Sequence, residues 1–340
     1  MTQATADTVD RLARWEGWLR SSTEIPLDPH TPIIDAHHHL WDRAGHTYLP
    51  QQFKADASGH HLLASVYVEC RSHYLQAGPE MLKPVGETQY VAGLVANQPA
   101  TPQAAVCDGI VGFADLSLGD EVEAVLQAHE AAGAGRFKGV RYATPWDADP
   151  TIHSAYPSHA GMLREPLVQA GARCLARRGL SLDTWAYFHQ LDDVVALALA
   201  CPDLIIVVDH VGGPLGIGTY ADRRQEVFTQ WRQSLQAFAP LDKVVMKFGG
   251  LAMPLAGFGW RKQPTPPSSQ SLATAWRPYF EVCLDVFGPA RCMFESNFPV
   301  DRTGCTYTSL WNAFKTLAAP LSPSERSALL RGTAQQVYRL

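Results

Sequence analysis

Short apolar runs rich in β-branched residues alternate along the chain with stretches whose apolar positions repeat at helical spacing. The short runs predict strands, and the helical spacing predicts amphipathic helices. The predicted strands are Pro32–Ala36, Leu62–Val68, Gly109–Ala114, Phe137–Tyr142, Leu180–Thr184, Leu204–Asp209, Lys243–Phe248 and Arg291–Ser296. The helices predicted between them include Asp120–Ala132, Glu165–Arg178, Gln190–Ala200, Asp222–Ala239 and Trp276–Phe287. This alternation is typical of βαβ units and a parallel sheet.

Eight strands with interleaved helices favour an α/β fold of the closed (β/α)8 TIM-barrel type over an open doubly wound sheet. We expect a single barrel domain over residues 32–340. Residues 1–31 are expected to form an N-terminal helical extension outside it, with a helix over Asp10–Arg20 and a proline-containing linker. The Pro/Ser/Gln-rich segment Gln263–Ser271 predicts a long surface loop after the seventh strand.

Composition removes several classes of function. The net charge is −5 and no basic stripe is present, so nucleic acid is not an expected partner. No apolar run is long enough to span a membrane, and the N-terminus lacks the apolar core of a secretory signal, so we expect a cytoplasmic protein. No glycine-rich nucleotide-binding loop follows a strand, and the seven cysteines show no CxxC spacing. The expected partner is a small-molecule substrate, and a homo-oligomer remains open.

Polar side chains follow nearly every predicted strand, at the end where TIM-barrel active sites are assembled. Three histidines, His37 to His39, follow the first strand. Because side chains alternate along a strand, His37 and His39 share one face and can bind one ion, whereas His38 points elsewhere. His210, at the end of the sixth strand, completes a set of three imidazoles suited to zinc with an open coordination position. The alternative is a hydrogen-bonded polar cluster without a metal.

Five further residues are candidates for substrate contact. Arg141 ends the fourth strand, where its guanidinium suits a substrate carboxylate, although a structural salt bridge is an equal alternative. Lys247 lies in the seventh strand, either in the pocket or paired with a carboxylate inside the barrel. Trp185 and Tyr187 line the pocket or pack in the core. His189, just beyond the fifth strand, is a further ligand or a substrate contact.

Seven motifs in order resemble those of the amidohydrolase-related proteins, in particular the metal-dependent hydrolases that include sugar-lactone and other lactone hydrolases. The motifs are IIDAHHHLWD (33–42), GIVGFADL (109–116), FKGVRY (137–142), LDTWAYFHQL (182–191), VVDHVGGP (207–214), KFGGLAM (247–253) and MFESNFPVD (293–301). The resemblance covers most of the chain. It implies a TIM barrel with His37 and His39 as metal ligands, His189 and His210 as further ligands or substrate contacts, and Arg141 as a carboxylate contact.

The last motif departs from the family pattern. Where the family has a strand-eight aspartate that serves as base and metal contact, this chain has Asn297, and an amide neither accepts a proton near neutral pH nor binds a cation as strongly. Three alternatives remain open. Glu295 lies on the same strand face and could enter the pocket from one layer deeper, or Asp301 could fold back from the loop. In the third, the histidines and Arg141 polarise an activated ester without a metal.

The expected function is hydrolysis of a lactone, or a related cyclic ester or amide, of a small carboxylated compound. Water would attack a carbonyl polarised by one divalent metal, with zinc as first choice, or by a cationic pocket. A second metal is not expected, because Lys138 has the opposite side-chain parity to Arg141 and strand four therefore lacks a bridging lysine. The alternatives are a metal-dependent decarboxylase of an aromatic acid and a catalytically silent barrel that binds a small acid.

Overall fold

Eight parallel strands form one sheet in the computed structural model, which describes residues 13–43, 46–96 and 106–340. Each strand pairs with the next along the chain, and a bridge between His38 and Phe298 brings the two ends of the sheet together. The predicted (β/α)8 TIM barrel is therefore confirmed. The strands are β1 (Pro32–His38), β2 (His61–Val68), β3 (Gly109–Gly112), β4 (Phe137–Ala143), β5 (Ser181–Trp185), β6 (Ile206–Val208), β7 (Val244–Phe248) and β8 (Cys292–Phe294).

Helices connect the strands, and a small hairpin, Trp41–Arg43 with His46–Tyr48, follows β1. The helix before β8 begins at Ser269, not at Trp276 as predicted, because the Ser268 side chain accepts a hydrogen bond from the Ser271 amide and caps it. The predicted loop Gln263–Ser271 is therefore wrong from Ser269 onward. Among the described residues, no helix combines the length and apolar composition needed to cross a bilayer. The helices are Pro50–Asp56, Val85–Ala96, Val122–Ala132, Pro166–Arg177, Leu191–Ala200, Arg224–Leu235, Ser269–Phe287, Tyr307–Ala318, Pro323–Ser327 and Thr333–Tyr338.

The N-terminal extension packs on the outside of the barrel. Residues 13–20 are helical, whereas residues 10–12 of the predicted helix lie outside the described residues. Trp15 is buried, and the Lys315 ammonium donates hydrogen bonds to the Leu27 and Asp28 carbonyls at 2.6 and 3.0 Å. These contacts anchor the linker to a helix of the barrel, and the division of the chain at residue 31 stays a prediction.

The barrel interior changes from apolar to charged toward the carboxyl ends of the strands. Val207, Val245 and Met293 belong to one buried apolar cluster with residues of β1, β2 and β3. Two positions further along the same strands lie Asp209, Lys247 and Glu295, all fully buried. Because side chains alternate along a strand, each apolar residue and the charged residue two positions later share the inner face. The charged layer therefore lies at the end of the barrel where TIM-barrel active sites occur.

A register shift in β1 brings its histidines onto this charged layer. Ala36 belongs to the interior apolar cluster, and the pairing of β1 with β2 shifts just before His38. After the shift, the rings of His37 and His39 contact each other, whereas His38 stacks outward on Phe53 with ring centroids 4.1 Å apart. Such irregularities re-aim side chains near active sites. The prediction that His37 and His39 share a face and His38 does not is confirmed.

The C-terminal helix supports the charged layer from the opposite end of the barrel. Tyr338 is fully buried, and its hydroxyl donates to Asp183 Oδ2 at 2.6 Å. The same carboxylate oxygen accepts from Lys247 Nζ at 2.6 Å. The Asp183 carboxylate thus connects the C-terminal helix to Lys247, which lies beneath the histidines.

Replacing Tyr338 by Phe is expected to lower the free energy of unfolding by about 1–3 kcal/mol, because the buried Asp183 carboxylate loses a donor while the ring volume is kept. Urea denaturation followed by tryptophan fluorescence measures the change. Tyr90→Phe, at a half-buried position on an outer helix, is the control and should stay within about 0.5 kcal/mol of the unmodified protein. Equal stability of the two variants would contradict the role given to Tyr338.

Candidate active site

Two imidazoles from β1 and the residue after it face each other at the carboxyl end of the barrel. The Nε2 atoms of His37 and His39 lie 3.1 Å apart, and both residues are buried. The Nδ1–H of His39 donates to the Val68 carbonyl at 2.7 Å, which fixes the orientation of that ring. The indole ring of Trp41 stacks on His39 from the other side. The pair is therefore held rigidly from two directions.

One buried carboxylate, that of Glu295, joins two of the histidines. Its Oε2 lies 3.0 Å from His37 Nδ1, and its Oε1 lies 2.7 Å from His210 Nδ1. Oε1 also accepts a hydrogen bond from the backbone amide of His210 at 2.9 Å. Burial alone would raise the pKa of Glu295, but His210 and His37 outweigh it and lower that pKa to about 2. The carboxylate is thus ionised, with Oε1 hydrogen-bonded twice to His210 and Oε2 in ion-pair contact with His37.

The hydrogen bonds assign one tautomer to His39 and His210, whose Nδ1 atoms donate to the Val68 carbonyl and to Glu295 Oε1, which leaves a lone pair on each Nε2. His37 Nδ1 has two kinds of neighbour, a carboxylate oxygen of Glu295 at 3.0 Å and the Lys247 ammonium. Lys247 Nζ lies 3.3 Å from His37 Nδ1, yet the Glu295 and Asp209 carboxylates flank the same atom and favour its proton. Burial lowers the pKa of His37 and of His39 well below the usual value, so both are neutral. Neutral imidazoles with carboxylate-held Nδ1 atoms fit a divalent metal.

A carboxylate that was not among the predicted ligands joins this group. Within the described part of the chain, ligand atoms of His37, Asp209 and His210 all lie within 4.8 Å of one another, whereas His39 is outside this set and meets it through His37, Nε2 to Nε2 at 3.1 Å. Strict alternation would turn Asp209 and His210 to opposite faces, but His210 and Val211 have positive φ angles of 54° and 49°. This left-handed backbone is uncommon outside glycine and brings both side chains to one site.

Lys247 lies beneath the histidines and is paired with two carboxylates. Its Nζ is 2.6 Å from Asp183 Oδ2 and 3.2 Å from Asp209 Oδ1, and all three side chains are fully buried. Burial alone would lower the pKa of Lys247, but the two carboxylates raise it to about 12. The geometry matches the alternative in which the charge of Lys247 is paired inside the barrel, and a contact with substrate stays a prediction.

Arg141 is likewise buried and held by neighbours. Its Nε donates to Glu69 Oε1 at 2.8 Å and its Nη2 to the Glu69 carbonyl at 2.5 Å, and Nη2 also donates to the Tyr156 hydroxyl. In the described contacts, Nη1 has no hydrogen-bond partner. The salt bridge that the sequence left open is thus present, and one N–H group remains for a ligand.

The two other predicted catalytic residues follow β8, and one of them contacts His39. Asn297 Oδ1 is 3.2 Å from His39 Nε2, and Asn297 has a positive φ of 52°. Asp301 is fully buried, and its amide donates to the Asn297 carbonyl at 3.0 Å. Burial and the charge of Glu295 raise the pKa of Asp301 well above its usual value, with Asn297 partly opposing the shift. The loop after β8 therefore does fold back toward the site.

The aromatic candidates form a wall that leads away from the histidines. Trp185 meets His210 edge-on with ring centroids 4.7 Å apart, and Tyr187 packs edge-on against Trp185 at 5.7 Å. His189 lies further along the wall, where its Nε2 is 2.8 Å from Asp147 Oδ2. The structure thus places Trp185 at the cluster and His189 in a separate hydrogen bond with Asp147, a residue that the sequence did not single out.

Two glycines of the KFGGLAM motif make room for this arrangement. A Cβ atom on Gly249 would lie 2.3 Å from Glu295 Cγ, and one on Gly250 would lie 2.5 Å from His210 Cβ. Gly250 also has a positive φ of 72°. The motif therefore supplies the clearance that lets Glu295 reach His210.

A (β/α)8 barrel with imidazoles and carboxylates at the carboxyl ends of its strands defines a class of hydrolytic enzymes. The chain belongs to the amidohydrolase family, whose model matches residues 34–340, and it is a hydrolase. It is 32% identical to protein y4mH of Sinorhizobium fredii over 91% of this chain and 98% of that protein. It is 26% identical to an L-fucono-1,5-lactonase of Burkholderia multivorans, over 90% and 96% of the two chains.

Solved structures of an amidohydrolase from Burkholderia multivorans have the same fold. One, with bound HEPES, has a TM-score of 0.70 and 26% identity and covers 91% of this chain and all of its own length. Another, with bound zinc, has a TM-score of 0.70 and 25% identity over the same shares of the two chains. The similarity therefore extends over the whole barrel.

Gly249→Ala is expected to lower the free energy of unfolding by about 1–3 kcal/mol, because the new methyl group overlaps Glu295 and the surrounding barrel is packed. Chemical denaturation measures the loss. Gly93→Ala is the matched control, since a Cβ there meets nothing within 4 Å. That change in a helix should leave the stability unchanged or raise it by up to about 1 kcal/mol. A Gly249→Ala variant as stable as Gly93→Ala would show that the clearance is not needed.

Proposed function

We propose that this hydrolase uses one divalent metal, with zinc as first choice, to open a lactone or a related cyclic ester or amide of a small carboxylated compound. The observation that carries the proposal is the set of three buried imidazoles whose Nδ1 atoms are held by oxygen acceptors. The lactonase relative and the zinc-bound amidohydrolase of Burkholderia multivorans support the same reaction class and metal.

His37, His39 and His210 would hold the metal through Nε2, and the Asp209 carboxylate would offer an oxygen ligand beside them. A bound divalent metal supplies Lewis-acid polarisation of a carbonyl oxygen. Glu295 orients two of the three rings and raises their basicity as ligands, as carboxylates behind metal-binding histidines do. The fully buried walls around these residues exclude bulk water and strengthen every electrostatic contact in the site.

Asp301 is the residue that we assign as proton acceptor. Glu295 is a poor base because its oxygens are engaged by His37 and His210 and its pKa is lowered to about 2. The raised pKa of Asp301 makes its carboxylate the stronger acceptor of the two. Asn297, between Asp301 and His39, would position the attacking water through its amide group.

The reaction balances as hydrolysis. The water oxygen bonds to the carbonyl carbon, Asp301 takes a proton from it, and the bond from the carbonyl carbon to the ring oxygen or nitrogen breaks. That proton passes to the leaving oxygen or nitrogen, so the product is an open-chain hydroxy or amino acid. Arg141 would hold a substrate carboxylate through Nη1, the group that its internal contacts leave available.

The protein purified without chelators is expected to contain about one zinc or similar ion per chain by elemental mass spectrometry. His37→Ala should lose it. Glu295→Gln should keep the three imidazoles but bind the metal about 10–100-fold more weakly, because a neutral amide orients them less strongly. Full activity of a metal-free protein would contradict the proposed role of the metal. The carbonyl would then be polarised by the cationic groups of the site.

Across a panel of sugar, aliphatic and aryl lactones, we expect turnover of at least one member, measured by proton release. Asp301→Asn should retain the metal and lower kcat by about 10²–10⁴-fold, the usual size of a general-base contribution. Asp120→Asn, at a surface carboxylate paired with Arg177, is the control and should leave kcat unchanged. Carbon dioxide release from aromatic acids without lactone opening would instead indicate a decarboxylase.

A further inference from the structure

A cavity of about 680 Å³ lies beside the active site, at the carboxyl ends of β2, β3 and β4. This volume falls within the range of about 300–1,000 Å³ typical of pockets for small organic molecules. Loops that follow the three strands contribute its walls. The cavity is therefore on the catalytic face of the barrel, although none of the three histidines lines it.

The lining of this cavity is predominantly aromatic and apolar. Phe113 and Tyr142 are stacked with an angle of 7° between their rings, so they present parallel aromatic surfaces. Two thioethers complete a soft, adaptable wall. The aromatic and thioether residues of this lining are Tyr74, Phe113, Tyr142, Tyr156, Met81 and Met162, and its polar residues are Arg71, Glu80, Lys83, Asp115 and Ser117. Such a surface favours a flat apolar ring over a polyhydroxylated chain, which needs a hydrogen-bond partner for each hydroxyl group.

Arg141 connects the cavity to the catalytic residues. Its Nη2 donates to the hydroxyl of Tyr156, a wall residue, and to the carbonyl of Glu69. Glu69 directly follows Val68, whose carbonyl holds His39. Tyr156, Arg141 and Glu69 therefore connect the cavity wall to the segment whose carbonyl orients His39.

Two polar groups in the cavity have the character of ligand contacts. The Tyr74 hydroxyl is buried and has no hydrogen-bond partner among the described residues, which is costly unless a ligand or water binds it. The Arg71 guanidinium donates to the Ala155 carbonyl through Nη1 at 2.5 Å, and it forms no ion pair with the residues that the structure describes. Lys83, in contrast, is paired with Glu80 at 2.6 Å. Arg71 is thus the cation available to an anionic ligand.

We propose that this cavity binds an aromatic ring of the substrate, with an anionic substituent of that ring facing Arg71, distinct from the carboxylate assigned to Arg141, and a polar substituent facing the Tyr74 hydroxyl. This inference rests on the proposed function for the position of the reacting carbonyl, which would lie at the histidines beyond Arg141. The substrate class is then an aryl-bearing lactone, cyclic ester or amide with a carboxylate, rather than a sugar lactone.

Isothermal titration calorimetry with phenylacetate, gluconate and acetate tests the ring separately from the carboxylate. Phenylacetate should bind the unmodified holoenzyme about tenfold or more tightly than acetate, because only its ring fills the cavity. Gluconate should show no comparable gain in affinity over acetate. Equal affinities for phenylacetate and acetate, or the tightest binding for gluconate, would overturn the proposal.

Cavity variants locate the binding. Met162→Trp fills the cavity and should abolish the advantage of phenylacetate while leaving acetate binding unchanged, and Met162→Leu keeps the volume and should preserve the advantage. Leu118→Trp fills the cavity from a different loop and replaces Met162→Trp in the test if circular dichroism shows that Met162→Trp does not fold. Arg71→Gln should weaken phenylacetate but not the neutral phenylacetamide. Unchanged phenylacetate binding in folded Met162→Trp and Leu118→Trp would overturn the assignment.

Turnover separates this inference from the function on which it rests. Ring-dependent binding that the cavity variants remove, without hydrolysis of any lactone, supports the cavity assignment and overturns the proposed reaction. Hydrolysis of a sugar lactone that Met162→Trp leaves unaffected, together with no ring-dependent binding, supports the reaction and overturns the cavity assignment.

Discussion

The bond from the Glu295 carboxylate to two histidines is the interaction on which the rest of the site depends. A buried carboxylate is costly unless it is paired, and here His210 donates hydrogen bonds to Oε1 while His37 forms an ion-pair contact with Oε2. The same contacts orient both imidazoles. Because the partners come from β1 and β6 and the carboxylate from the end of β8, one side chain joins three separate parts of the barrel. The clearance at Gly249 is required for the same reason, since any larger residue would displace the shared carboxylate.

The charged layer beneath the histidines is a set of compensating pairs rather than a collection of independent ions. Lys247 forms ion pairs with both Asp183 and Asp209, and the Tyr338 hydroxyl supplies Asp183 with a second donor. Removing one partner from such a buried pair leaves an uncompensated charge, which costs far more than the pair contributes. The C-terminal helix is therefore coupled to the active site by electrostatics, although it lies at the opposite end of the barrel. A role for Lys247 in holding Asp209 beside His37 follows more directly from these contacts than a contact with substrate.

The strands and the histidine pair could be predicted from sequence because each depends on local periodicity. Apolar runs determined the eight strands, and alternation placed His37 opposite His38. The meeting of Asp209 and His210 at one site could not be predicted, since alternation turns Asp209 inward and only the left-handed backbone of His210 and Val211 brings the next side chain to the same side. The glycine pair after Lys247 was a visible signal of close packing, but its partner became clear only from the fold. The cavity beside Arg141 was also beyond sequence reasoning, because its walls come from loops far apart in the chain.

The amide at Asn297 makes physical sense once the neighbouring carboxylates are known. Glu295 and Asp301 flank it on the chain, both fully buried, and Glu295 already raises the pKa of Asp301. A third carboxylate at this position would add like charge to a site of low dielectric, which like-charged groups cannot share while all are ionised. An amide keeps the hydrogen-bonding shape of an aspartate, contacts His39, and carries no charge. In the proposed mechanism the amide therefore separates two tasks, with Glu295 orienting the imidazoles and Asp301 accepting the proton.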